Sequence, residues 1–196
     1  MTQSPAPDFR SALAALFEAL KTIGRPAMLI GGLAVIARGV PRLTIDIDAV
    51  IQGEGLDVDR LWEVLRRSGL EARVTDAEEI AEERLVLLLR HSASGVTVDL
   101  SLGWMQFERE AMERATTVDL GGVPVPVATP EDLVVLKAVA WRAVDKFDVT
   151  ELIVRHHAGM DLQRMRRTVA GFYELLEVPE RLKEYDLLVS QALDEA

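Results

Sequence analysis

The sequence predicts a mixed α/β (α+β) fold, with a mixed sheet flanked by helices and a helical C-terminal part. Three observations carry that prediction. Stretches of strict alternation, such as Ile45 to Ile51 and Val96 to Leu102, are interleaved with stretches of helical spacing up to about residue 128. Period two marks half-buried strands, and spacing of three and four marks amphipathic helices. After Thr129 only helical spacing remains. Glycine or proline punctuates the changes of period at Gly24, Gly53, Gly69, Gly95, Gly121 and Pro130. The expected organisation is a core over 1–128 and a helical part over 129–196 that completes it as one compact unit.

Composition narrows the class. The 196 residues hold 22 basic and 32 acidic side chains, net −10, and no cysteine. Disulfides and thiolate metal sites are therefore excluded. The acidity opposes broad, nonspecific binding to nucleic-acid phosphates, while leaving room for a local basic groove. No uncharged apolar run approaches the roughly 20 residues of a membrane span. Met1 to Asp8 is polar and Pro-containing and does not read as a signal peptide. A cytoplasmic protein that makes no membrane contact is expected.

Residues 8–23 read as an amphipathic helix with Asp8 or Ser11 as cap and Leu13, Leu16, Phe17 and Leu20 inward. Gly24 ends it and Pro26 prevents continuation. Ala27 to Ile30 is a buried strand. Gly31-Gly32 lets the backbone turn and approach a ligand closely, and Leu33 to Arg38 is a short helix whose first amides face that ligand. Arg38 and Arg42 add positive charge. Thr44 to Ile51 is a strand: Ile45, Ile47, Ala49 and Ile51 form its apolar face, and Thr44, Asp46 and Asp48 the other. Carboxylates two apart on a strand lie about 6.5–7 Å apart along one side. They repel unless a cation sits between them or one is protonated. Hard oxygen donors of this kind suit Mg²⁺ or Mn²⁺, with substrate phosphates completing the shell.

Gln52 to Gly55 is a turn, and Val58 to Ser68 a helix that buries Leu61, Trp62 and Leu65 and stops at Gly69. Ala72 to Thr75 is a short strand, and Glu78, Glu79, Glu82 and Glu83 a solvated helix face. Leu85 to Arg90 is nearly all apolar and reads as a central strand. A turn over His91 to Gly95 joins it to Val96 to Leu102 as an antiparallel hairpin. On that second strand Asp99 points away from the core. It is a solvated residue, or a third functional carboxylate if its strand lies beside that of Asp46 and Asp48. Trp104 to Ala115 is a helix. Val118 to Val127 is a hairpin whose Pro124 and Pro126 place its second strand at an edge or make it irregular. Thr129 caps a helix that opens with Pro130, Glu131 and Asp132 and runs to Trp141. Within it Lys137 is either a lysine snorkelling at the core edge or a phosphate ligand. Helices continue from Val149, with Phe172, Leu175 and Leu176 packed and Leu182, Tyr185, Leu188, Val189 and Leu193 as the last apolar stripe. His156 and His157 point apart and make poor joint ligands. Arg155, Arg164, Arg166 and Arg167 are a solvated basic face or a contact for RNA or an acidic partner.

Gly31-Gly32 followed by Asp46-Ile47-Asp48 resembles the nucleotidyltransferase superfamily, whose pattern is Gly-Gly or Gly-Ser, a spacer, then Asp-hydrophobic-Asp. Downstream, Pro130-Glu131-Asp132-Leu133, Lys137, Arg142, Asp145, Asp148 and Leu152 resemble its AbiE-type (MenT-like) toxin branch. Two departures stand out: Trp141 replaces the usual glycine before the arginine, and the lysine follows Asp145 as Lys146. The resemblance spans about residues 25 to 155. It implies transfer of a nucleoside monophosphate from a nucleoside triphosphate to an acceptor hydroxyl, with Mg²⁺ or Mn²⁺ as cofactor. Asp46, Asp48 and Asp99 would be the catalytic and metal-holding carboxylates. Gly31, Gly32, Thr44, Lys137 and Arg142 would bind the nucleotide. Asp145 and Asp148 would orient Lys137 and Arg142, or serve only as salt-bridge partners on a helix. It further implies a tRNA 3′ end as acceptor and a cognate antitoxin as partner. A small hydroxylated molecule, as in antibiotic nucleotidyltransferases, is the second acceptor class, favoured by the net charge. A degenerate copy that only binds nucleotide is a third reading, and an intact set of three carboxylates speaks against it.

Overall fold

The computed structural model describes residues 8–196, so the stretch before Asp8 lies outside the described residues. The chain forms two units. One holds the residues up to Leu33 together with Leu43–Ala128, the other Ala34–Arg42 together with Thr129–Ala196.

In the first unit α1 (Phe9–Ile23) is capped by Asp8, whose carboxylate accepts the Ser11 amide at 3.2 Å, and is closed by Gly24 at φ 74°. β1 (Ala27–Ile30) leads directly into α2 (Gly31–Ala37), which starts at Gly31 itself and belongs to the second unit from Ala34 on. β2 (Asp46–Gln52), α3 (Val58–Arg67), β3 (Leu70–Ala72), α4 (Ala77–Arg84), β4 (Val86–His91) and β5 (Thr97–Gly103) follow. After them come α5 (Gln106–Arg114), β6 (Thr116–Asp119) and β7 (Pro124–Val127). The seven strands make one mixed sheet in the order β3-β4-β5-β2-β1-β7-β6. β2 is central, antiparallel to β1 and parallel to β5. One face of the middle strands is a continuous apolar layer: Ile47, Ala49 and Ile51, Val98 and Leu100, and Leu87 and Leu89 are all fully buried. Each Val, Leu or Ile so buried contributes about 1.5–3 kcal/mol. That layer fixes the register, because a slip of one residue would turn the aspartates inward. The other face carries Asp46, Asp48, Thr97 and Asp99, all half-buried.

Several expected boundaries move. β2 begins at Asp46, and Ile45, expected on the apolar face, lies ahead of the strand and is 75% exposed. The short strand expected over Ala72 to Thr75 lies earlier, at Leu70–Ala72. Leu85 is not in a strand; it closes α4 in the left-handed region at φ 53°. β4 is second from the edge rather than central, and its apolar run alternates between buried and partly exposed residues. β7, despite its two prolines, is not an edge strand. It pairs with β6 along its length and with β1 at one register position, Leu29 opposite Val127. There the Ala128 amide, past both prolines, donates to the Leu29 carbonyl at 3.1 Å. The proline positions therefore carry no bond to β1 that a missing N–H would break.

In the second unit α6 (Pro130–Ala140), α7 (Ala143–His156), α8 (Leu162–Leu175) and α9 (Arg181–Asp194) pack around Leu133, Val149, Leu152, Ile153, Met165, Val169 and two tyrosines. Thr129 caps α6, its hydroxyl accepting the Asp132 amide and donating to the Asp132 carboxylate at 2.7 Å. Trp141 closes α6 in the left-handed region at φ 52°. Its ring packs edge-on against Tyr173 with centroids 6.2 Å apart and lies at the same distance from Tyr185. Its Nε1 donates to Glu184 at 2.9 Å, and the Lys146 ammonium sits 5.0 Å from its ring centre. Burial pushes the Tyr173 hydroxyl up to about 12, and that hydroxyl donates to the Ala138 carbonyl at 2.9 Å. Two expected packing residues are exposed: Leu175 and Leu176, at 80% and 48%, lie past the turn of α8 that buries Tyr173. On α9 the buried positions are Tyr185 and Ala192, and Leu193 is partly exposed. Among the described residues no helix is long and apolar enough to cross a membrane.

Candidate active site

The carboxylate face of the first unit is built by register. Asp48 pairs with Ile30 on β1 and with Asp99 on β5, and Asp46 pairs with Thr97. Paired residues share a face, so Asp46, Asp48 and Asp99 all project from one side of the sheet. The condition the sequence set for Asp99, a strand beside that of Asp46 and Asp48, is met. Thr44 precedes β2 and its hydroxyl donates to Asp46 Oδ1 at 2.8 Å, which orients that carboxylate. Gly31 sits at φ 67°, and a Cβ built there would lie 2.5 Å from Cβ and Cγ of Asp48 and closer still to Oδ2. Asp48 therefore rests against bare backbone, and glycine is required by space as well as by dihedral angle. Gly32 follows it in the first turn of α2.

Asp99 is held by a residue the sequence assigned no role. Arg73 Nη1 lies 2.8 Å from Asp99 Oδ1, with the two side chains 23% and 31% exposed. That oxygen is itself buried and has no aligned hydrogen-bond partner among the described residues. Among the described residues no three or more His, Asp and Glu side chains are gathered as a ready metal cage. The donor set nevertheless fits a hard divalent ion in part. Asp46 and Asp48 are half-buried carboxylates two apart on one face, the hard oxygen donors such an ion takes, and Asp99 is engaged by Arg73. The fit is thus to the Asp46–Asp48 pair.

The second unit holds a separate charged cluster. Lys137 is 6% exposed, and its ammonium lies 3.1 Å from Asp145 and 2.9 Å from Asp148, both fully buried. Asp148 Oδ2 also pairs with Arg42, while its Oδ1 has no hydrogen-bond partner among the described residues. Asp145 accepts from the Arg142 amide at 3.0 Å and from Arg142 Nε at 2.7 Å. Burial opposes the charge of Asp145, but the hydrogen bonds from Arg142 and Lys137 outweigh it and hold the carboxyl below its ordinary range. Lys137 does not snorkel to water; its charge is met inside the unit. Glu131 and Asp132 of the Pro-Glu-Asp-Leu motif are engaged structurally as well. Arg164 pairs with both, and Glu131 accepts the Asp161 amide at 2.8 Å. Most of the basic stretch is likewise paired, Arg155 with Glu151 and Arg166 with Asp186. His156 Nε2 lies 2.8 Å from the Arg38 carbonyl.

Comparison with known proteins shows the family and the fold. The chain belongs to the family described as "Nucleotidyl transferase of unknown function (DUF2204)", whose model matches residues 9–184. It is therefore a nucleotidyltransferase by family. Solved structures share its fold at low identity. The solution structure of the antibiotic-resistance factor ANT(2'')-Ia has a TM-score of 0.60 and 16% identity, covering 92% of this chain and 100% of its own. An antigenic nucleotidyltransferase-like protein from Paracoccidioides brasiliensis has a TM-score of 0.52 and 18% identity, over 92% and 95%. The lincosamide antibiotic adenylyltransferase LnuA, bound to lincomycin, has a TM-score of 0.52 and 15% identity, over 75% and 98%. Among curated proteins nothing matches.

Proposed function

We propose that this chain transfers a nucleoside monophosphate from a nucleoside triphosphate to an acceptor hydroxyl in a metal-dependent reaction. The observation that carries the proposal is the register of β2 and β5, which sets Asp99 opposite Asp48 on the face that also bears Asp46. Asp46 and Asp48 would hold Mg²⁺ or Mn²⁺. That ion, when bound, would neutralise charge on the triphosphate and on the departing pyrophosphate. Thr44 orients Asp46, and Gly31 leaves the room in which Asp48 can turn toward a ligand. Asp99 accepts the proton of the acceptor hydroxyl as its oxygen bonds to the α-phosphorus and the bond from that phosphorus to pyrophosphate breaks. No covalent enzyme intermediate is needed. Lys137 and Arg142 are the second unit's candidates for the triphosphate, with Asp145 and Asp148 orienting them.

The acceptor follows one of two readings. The downstream motif supports the AbiE-type reading, with a tRNA 3′ end as acceptor and an antitoxin partner. The net charge of −10 and the fold shared with antibiotic-modifying enzymes support a small hydroxylated, cationic acceptor. Nucleotide binding itself is tested by thermal shift with Mg²⁺ and each nucleoside triphosphate. A ligand bound only by the folded protein raises the melting temperature. The proposal expects a rise with at least one triphosphate that Asp48→Asn abolishes, and no rise with any would count against nucleotide binding and so against the proposal.

A further inference from the structure

Arg73 lies just past β3 and continues its pairing, because its amide donates to the Leu88 carbonyl at 3.0 Å. Leu88 pairs with Asp99, and Asp99 pairs with Asp48. Arg73, Leu88, Asp99 and Asp48 therefore form one row across four strands and project from one face. With strands about 4.8 Å apart, the Arg73 backbone starts about 10 Å from that of Asp99. The long side chain spans Leu88 to bring Nη1 within 2.8 Å of Asp99 Oδ1. Arg73 approaches from the β4 side and Asp48 stands on the β2 side. A cation at Asp46 and Asp48 and the guanidinium of Arg73 would thus draw the same carboxylate in opposite directions along the row.

We infer that Arg73 is a positioning residue that holds Asp99 away from a cation bound at Asp46 and Asp48, which leaves Asp99 to engage the acceptor. The inference rests on the nucleotidyl-transfer reading above. It differs from a plain surface ion pair in one respect: loss of Arg73 should strengthen metal binding, whereas damage to the sheet would weaken it. Without the guanidinium, Asp99 turns toward the ion and adds a negative oxygen to its shell.

The test is Mn²⁺ titration of the full chain, followed by the loss of the free-ion paramagnetic signal, for wild type, Arg73→Met, Arg73→Lys and Arg73→Met/Asp99→Asn. Arg73→Met should bind Mn²⁺ about fivefold tighter. Arg73→Lys should stay within about twofold of wild type, because an ammonium can still hold Asp99. The double variant should lose the gain. Unchanged or weaker binding in Arg73→Met would overturn the inference. So would a gain that persists when Asp99 is Asn, since the effect would then not act through Asp99. If wild type itself binds no Mn²⁺, with or without a nucleoside triphosphate, the metal-dependent reading fails and the inference falls with it. If wild type binds and the variants do not differ, only the inference falls.

Discussion

A methyl group at position 31 has nowhere to go. Gly31 combines a positive φ with the Asp48 carboxylate packed against its α-carbon. Gly39 shares the positive φ, at 91°, but nothing lies within 4 Å of a Cβ built there. The pair separates dihedral strain from crowding. Gly39→Ala should cost only the strain, about 1–3 kcal/mol. Gly31→Ala should cost more and should also abolish the thermal shift given by Mg²⁺ and nucleotide; equal losses in the two variants would remove the crowding argument. Asp145 makes a second prediction at this scale. Its folded-state pKa lies below the ordinary 3.8, so the folded form favours the carboxylate. The stability this gives is fully present above the unfolded value and is lost as pH falls through the folded one. The stability difference between wild type and Asp145→Asn should therefore be constant at neutral pH and shrink below about pH 4. Melting curves across that range check it, and a difference that stayed constant there would count against the hydrogen bonds from Arg142 and Lys137 as its source.

At the scale of elements, the end of α6 shows what one bulky residue in a strained position entails. Trp141 adopts the left-handed conformation that a glycine would favour. Its ring is held by Tyr173, Tyr185, Glu184 and Lys146, so α7 and α9 are tied to the close of α6 through one side chain. Trp141→Gly would relieve about 1 kcal/mol of backbone strain and remove packing worth about 3–5 kcal/mol. A net loss of about 2–4 kcal/mol in denaturant unfolding is expected, and a stabilised variant would contradict the packing account. The same element shows the limit of the sequence. Residue type and spacing made the glycines, the Asp-x-Asp strand and the capped start of α6 readable, because local rules decide them. Ile45 falls outside because the alternation starts two residues ahead of the sheet, and only pairing tells where a strand begins. The edge alternative for β7 fails because proline reports a missing donor, not whether a neighbour requires that donor. Leu175 and Leu176 fit a helical stripe, yet α8 turns Met165, Val169 and Tyr173 inward instead. Arg73 was invisible for a deeper reason. Its partner lies two strands away across Leu88, and register over two pairings is not written in any local pattern.

For the molecule as a whole, the seven-stranded sheet matters because it converts sequence-distant carboxylates into neighbours. Asp48 and Asp99 are 51 positions apart and meet through a parallel pairing that no hairpin could make. The buried layer behind them sets that pairing, so the chemistry of the open face depends on the packing of the closed one. The central claim is that this face transfers nucleotides, and label transfer tests it most directly. The full chain would be incubated with Mg²⁺, each α-labelled nucleoside triphosphate in turn, and either total tRNA or an aminoglycoside, with Asp48→Asn as control. The account predicts label on one acceptor class from at least one triphosphate, lost in Asp48→Asn; which class is labelled decides between the two acceptor readings. Equal labelling by wild type and Asp48→Asn, or no label on either acceptor despite nucleotide binding, would contradict it.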